Sequence, residues 1–353
     1  MKQRLAPETF AISAEELGKI KNGFYSDTYF LKTQDILAKD GRHPRVLMQI
    51  FQRQHAVLCG IDEALYIIQQ CAHRPENLVV HALHDGDEIE PWETVMTIEG
   101  DLCDFSHLET VYLGILSRQT KIATNVHQTV NAANGKPVLF FPARFDHYAV
   151  QAGDGYAARV GGVFGVSTPA NAVYWGGTAQ GTIPHALIAT YNGDTKAATA
   201  AFHRHIPQEV NRVALVDFTN DCVNTSLAVA RDLGDKLWAV RLDTADNLVD
   251  VSVLPYMGNF RPTGVCPRLV RNVREALDVE GFHHVKIMVS GGFNAERITN
   301  FEKEKVPVDV YAVGGSLFHN SVNFTADIVT VDGQSCAKVG RTYNPNPKLS
   351  RVR

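Results

Sequence analysis

Residues 285–318 read VKIMVSGGFNAERITNFEKEKVPVDVYAVGGSLF, and this stretch constrains the fold more than any other. Two apolar runs, Val285–Val289 and Val308–Val313, each stop at a small Gly-rich turn, Ser290-Gly291-Gly292 and Gly314-Gly315-Ser316. Between them, Asn294–Lys303 has the spacing of one amphipathic helix. Continuous apolar runs separated by helices predict a parallel sheet covered on both faces. Two consecutive strand–helix turns of this kind put bare backbone N–H groups side by side at one mouth of the sheet. In a βα barrel that is where a phosphate sits, after the seventh and eighth strands and at a helix N-terminus.

The same alternation runs back to Pro137. Val138–Ala143, Gly162–Val166, Val213–Phe218 and Leu237–Leu242 are predicted strands, with a helix near Tyr148–Val160 and a Gly-rich break at Gly176-Gly177 and Gly181. Units recurring every ~20–45 residues favour an irregular or incomplete βα barrel over an open sheet. Residues 137–320 therefore form the predicted barrel domain. Asp246–Thr263, polar and containing Gly and Pro, reads as a loop over its mouth.

Residues 1–136 mix short strands, Arg45–Phe51 and Thr94–Ile98, with the helix Ile61–Gln70 and a turn at His84-Asp85-Gly86-Asp87. A long helix follows, opened by a capping box of Ser106 and Glu109 and ended at Gly135–Pro137. This is an N-terminal α+β domain with connecting helices. The tail, 321–353, carries one more β-like run, Ala326–Val331, and is expected to return to that first domain.

The length of 353 residues accommodates a barrel of about 200–250 residues and a second domain. A net charge of −4 argues against nucleic acid or an anionic membrane as partner. Six scattered cysteines without a CxxC pair predict reduced thiols rather than disulfides or zinc. The polar start after Met1 suggests no leader peptide, and no apolar run approaches the roughly 20 residues of a membrane span. The expected location is cytoplasmic.

Chemistry in a βα barrel gathers where strands end. Here those ends carry Arg144, then Ser167-Thr168, then Thr182 and His185, then Asp217, then Arg241 with Asp243. Cations, carboxylates, a histidine and two phosphate turns on one rim suit a polyanionic ligand with Mg²⁺. Each residue alone has a plainer reading. Arg144 fits a rim ion pair, Asp217 fits the cap of the helix near Asp221, and His185 fits a satisfied semi-buried histidine. Arg241 and Asp243 share a strand face and fit a structural ion pair. The glycine turns also fit tight turns without ligand. Their joint occurrence on successive strands favours function.

In this order and spacing the chain resembles the nicotinate phosphoribosyltransferases and their quinolinate and nicotinamide relatives. SDTYF at Ser26–Phe30 is similar to the N-terminal signature whose aromatic residue, Tyr29 here, stacks on a pyridine ring from the neighbouring subunit. LSRQTKIAT at Leu116–Thr124 is similar to a helix of the quinolinate relatives whose arginine, Arg118 here, faces substrate across a dimer interface. GTIPHAL at Gly181–Leu187 resembles the segment whose histidine, His185 here, is phosphorylated from ATP. VDF and VRLD match strands that supply Asp217, Arg241 and Asp243, and SGGF and VGG match the turns that hold a 5′-phosphate through Ser290, Gly291, Gly292, Gly314 and Gly315. The family pattern has a second arginine where this chain has Phe145. Some short members end in a zinc knuckle that a tail with only Cys336 does not build.

What the resemblance implies is a homodimer, or a higher oligomer with shared sites, that joins nicotinate to phosphoribosyl pyrophosphate in NAD salvage. Mg²⁺ would be a cofactor and ATP a co-substrate. Arg144, Ser167, Thr168 and Arg241 would bind substrate, and Ser167 leaves nothing to repel a carboxylate. Nicotinamide and quinolinate remain alternative bases. A phosphate-binding isomerase or aldolase lacks a candidate, since Lys286 begins its strand at the wrong mouth. A non-catalytic nucleotide-binding barrel stays open.

Overall fold

The computed structural model describes residues 3–352, so Met1, Lys2 and Arg353 lie outside the described residues. The strands in chain order are β1 Arg45–Phe51, β2 Ala56–Val57, β3 Val79–Ala82, β4 Glu88–Ile89 and β5 Thr94–Asp101, then β6 Val138–Phe140 and β7 Gly165–Val166. There follow β8 Arg212–Leu215, β9 Leu237–Leu242, β10 Lys286–Val289 and β11 Val310–Val313, and in the tail β12 Thr325–Val331, β13 Gln334–Ser335 and β14 Ser350–Arg351.

They make two large sheets. The first is antiparallel, in the order β13-β12-β1-β5-β3-β14. The second is wholly parallel, in the order β7-β6-β11-β10-β9-β8. This parallel sheet curls into an incomplete barrel: beyond β7 there is one further bridge, Val166 to Ala179, and β8 is the other edge. The α/β fold class and the incomplete barrel match the sequence expectation. The tail pairs β12 with β1 and β14 with β3. Among the described residues no helix is long and apolar enough to cross a membrane.

Alternation along the parallel strands sorts their side chains. Val240, Leu242, Ile287, Val289, Tyr311 and Val313 pack outward into the large core shared with the helices. Leu139, Val213, Ala239, Met288, Val310 and Ala312 fill the inside. Residues two apart share a face, so Arg241 and Asp243 follow Ala239 and rise from the inner face to the mouth.

Several local expectations need correction. The long helix runs Glu109–Ala132 with no side-chain cap. Helical turns begin earlier, at Leu102, where Asp101 accepts from the Cys103 N–H at 3.0 Å. Ser106 then lies inside the run, its hydroxyl buried without a partner, and no capping box forms. The strand placed at Gly162–Val166 shrinks to two residues because Gly162, at φ 102°, ends the helix Gln151–Gly161. The segment 246–263 does not lie loose over the mouth. It contains the 3-10 helix Val251–Tyr256, and Asn272 of the helix Pro267–Val279 donates to Ser252 O at 2.7 Å. Buried Asp250 accepts from the N–H groups of Cys222 and Ser252, both at 2.9 Å. Residues 250–256 are thereby anchored on the helix layer, while Asp246 stays beside the first glycine turn.

Candidate active site

The centre of the mouth is a hydrogen-bonded network on β9 and β10. Arg241 donates from Nε to Ser290 Oγ at 2.9 Å, from Nη1 to Thr182 Oγ1 at 3.0 Å and from Nη2 to Asp243 Oδ2 at 3.2 Å. Ser290 in turn donates to Asp243 Oδ1 at 2.6 Å. The Arg241 guanidinium lies 5.6 Å from the centroid of the Phe141 ring, beyond the end of β6. A serine thus bridges a cation and a carboxylate, and all three are held in one orientation.

Beside this network His185 Nε2 sits 3.0 Å from both oxygens of Asp217. The imidazole is 45% exposed, whereas the carboxylate is only 8% exposed. Burial pushes the Asp217 carboxyl above its ordinary range, and the neighbouring histidine opposes that rise. Asp217 is free for this role because Asp221 caps the helix Cys222–Leu233, accepting from Asn224 N at 3.3 Å. The plainer reading of Asp217 as a cap is therefore excluded.

The two glycine turns lie at the ends of β10 and β11, which pair with each other. Gly291 and Gly292 sit at φ 82° and 66°, in the left-handed region that a side chain disfavours. A Cβ on Gly292 would come within 3.0 Å of Asp246 Oδ2. Gly314 has an ordinary negative φ of −107°. Its constraint is steric, since a Cβ there would meet the Phe145 ring at 3.0 Å. Ser316 joins the turns by donating to Phe293 O at 2.8 Å.

The remaining candidates fare differently. Arg144 is exposed and touches only the face of Phe145, 5.5 Å from its centroid, so its guanidinium points to no carboxylate among the described residues. The rim ion pair expected as its plainer reading does not form. Ser167 directly follows β7 and is half-buried. Thr168 is engaged as the cap of the helix Pro169–Ala172, and it also donates to Gln151 Oε1 at 2.8 Å. Arg118 is clamped within its own chain, donating to Asp154 Oδ1 at 2.7 Å and to Asp146 Oδ2 at 2.7 Å. It also lies 5.7 Å from the Phe318 ring centroid. Within one chain Arg118 thus braces the residues after β6 and β11. Those two carboxylates raise its pKa further, Asp154 foremost. Tyr29, 58% exposed on the helix Thr28–Lys39, makes no contact with the mouth.

Reading the chain alone missed Phe141, Asp146, Asp154, Asp246 and Arg297 as parts of this site. Asp146 and Phe141 flank the end of a predicted strand, which was an available signal. Arg297 sits one turn into the helix after the first glycine turn, and nothing in its own neighbourhood marks its target.

Comparison with known proteins agrees with the geometry. A family model described as the quinolinate phosphoribosyl transferase N-terminal domain matches residues 27–120. The chain is 30% identical over 275 residues to nicotinate phosphoribosyltransferase pncB1 of Mycobacterium tuberculosis, covering 74% of this chain and 56% of that one. It is 23% identical over 331 residues to nicotinate phosphoribosyltransferase of Bacillus subtilis, covering 83% and 63%. The chain thus spans less than two thirds of these curated relatives. Among solved structures, nicotinate-nucleotide pyrophosphorylase from Pyrococcus furiosus superposes with a TM-score of 0.81 at 36% identity, over 98% of this chain and 82% of that one. Human nicotinic acid phosphoribosyltransferase, at 16% identity, shares the fold with a TM-score of 0.67 over 88% and 76%.

Proposed function

Given that the chain belongs to the family of nicotinate and quinolinate phosphoribosyltransferases, we propose that it makes nicotinate mononucleotide from nicotinate and phosphoribosyl pyrophosphate. The pyridine nitrogen lone pair forms the bond to ribose C1 as the C1–oxygen bond breaks, and pyrophosphate leaves with that electron pair. The observation that carries this reading is the Arg241–Ser290–Asp243 network lying against the first of two adjacent glycine turns. One end of that pocket fits a 5′-phosphate and the other fits a charged leaving group.

Each residue has a physical task. Backbone N–H groups of Gly291, Gly292, Gly314 and Gly315 hold the 5′-phosphate. Asp243, oriented by Arg241 and Ser290, faces the ribose, where positive charge develops in the transition state. Arg144 and Arg241 neutralise pyrophosphate. Ser167 carries no charge to repel the nicotinate carboxylate. Asp217 and Asp243 are the carboxylates at hand for Mg²⁺, which when bound screens the phosphate charge. Among the described residues no three donor side chains converge at the mouth, which suits an ion held largely by substrate phosphates.

ATP coupling through His185 is part of the same reading. Asp217 accepts from Nε2–H and so leaves the Nδ1 lone pair free to take a phosphoryl group. Tyr29 would act from a second copy of the chain.

The test is pyrophosphate release on adding nicotinate, phosphoribosyl pyrophosphate and Mg²⁺, with nicotinamide and quinolinate as rival bases. No release with any of the three overturns the reading; faster release with a rival changes the base. Equal stimulation by ATP in wild type and His185→Ala would remove the phosphohistidine. Tyr29→Ala and Asp243→Ala proteins, each weak alone, are expected to recover activity partly when mixed.

A further inference from the structure

The first glycine turn is held from behind by one side chain that stands outside the mouth. Arg297, in the helix Ala295–Lys303, donates from Nη1 to Gly291 O at 2.9 Å and from Nη2 to Val265 O at 2.9 Å. Its guanidinium lies 4.3 Å from the centroid of the Phe293 ring, with Asp246 Oδ1 at 3.7 Å. Phe293 is 2% exposed and belongs to the core between sheet and helices, so Arg297 pulls on the turn from the helix side.

In a trans peptide the C=O and the following N–H point in opposite directions. A Gly291 carbonyl turned toward Arg297 therefore sends the Gly292 N–H the other way, toward the mouth. With both glycines at positive φ, nothing in the local backbone selects that orientation over a flipped peptide. The Arg297 fork does, since its two N–H groups tie the turn to the segment leading into the helix Pro267–Val279. On the other flank Ser316 holds Phe293 O.

We propose that Arg297 is a positioning residue: it locks the Gly291–Gly292 peptide with its N–H toward the mouth and so sets affinity for a sugar 5′-phosphate. The proposal rests on the phosphate role of these turns under the function above. A guanidinium suits the task because its planar fork reaches two carbonyls at once, which a lysine ammonium on a flexible stem does not. Burial lowers the pKa of this arginine.

The probe is ribose 5-phosphate, titrated by calorimetry into wild type, Arg297→Met and Arg297→Lys, with melting temperatures recorded alongside. Loss of a hydrogen bond to a charged donor predicts that Arg297→Met weakens ribose 5-phosphate binding by about tenfold or more, and Arg297→Lys by less. In turnover, the KM for phosphoribosyl pyrophosphate rises in parallel while the KM for nicotinate stays put, a split that general loosening of the fold does not produce. Should Arg297→Met melt early, the lysine variant decides. Wild-type affinity for ribose 5-phosphate in a folded variant overturns the proposal, as does failure of the wild type to bind it. If binding depends on Arg297 yet no pyridine base releases pyrophosphate, the positioning role stands and the reaction assigned above falls.

Discussion

The two glycine turns look alike as strings of letters but are built on different principles. Ser290-Gly291-Gly292 is a backbone device: both glycines are left-handed, and the turn is gripped by Arg297 on one side and the Ser290–Asp243 bond on the other. Gly314-Gly315 is a surface device: neither glycine is left-handed, and a Cβ on either would meet the ring of Phe145, itself 55% exposed. A rigid turn beside a covered one suggests that the first fixes the phosphate position and the second adapts to it. The exposed ring of Phe145 makes access to the second turn a matter of a side-chain swing.

The comparison breaks most severely at the brace behind the second turn. Arg118→Met leaves Asp154, 2% exposed, as an uncompensated buried charge, and a loss of about 3–5 kcal/mol is expected by denaturant titration. Gly292→Ala comes next: a left-handed alanine costs about 1–2 kcal/mol, and the Cβ also presses on Asp246, so phosphate affinity falls as well. Ser316→Ala removes the bond between the turns and costs about 1 kcal/mol with a modest rise in KM for the sugar donor. Gly314→Ala is the mildest, below about 1 kcal/mol, because an exposed ring yields more easily than a packed one. A double-mutant cycle sharpens the contrast: Phe145→Ala is expected to restore Gly314→Ala but not Gly292→Ala. Rescue of both, or of neither, would mean that the turns are not different in kind.

Much of this arrangement was legible in the chain because it is local. Strand alternation alone put Arg241 and Asp243 on one face, and the glycine turns announced themselves after apolar runs. His185 and Asp217 were named from strand ends, though only the fold brought them to 3.0 Å. What escaped depends on distant partners. Arg118 meets Asp154 and Asp146 from 36 and 28 residues away, so its clamp is invisible in its own helix. Thr168 looked like a rim hydroxyl, yet the proline after it starts a short helix that needs a cap. Ser106 had the spacing of a capping box, but Asp101 had already opened the helical run.

The strand pairing of the first sheet carries a consequence for how the molecule is made. Strand β1 is flanked by β5, some fifty residues on, and by β12, whose partners in register run from Thr325 to Val331. Until that late segment leaves the ribosome, β1 presents an open edge while the entire parallel sheet is synthesised in between. Native contacts so far apart close slowly, and an unpaired edge invites other chains. The antiparallel sheet is thus among the last parts to be finished. In a chain still being made, every strand of the parallel sheet precedes the segment that β1 needs as its second neighbour.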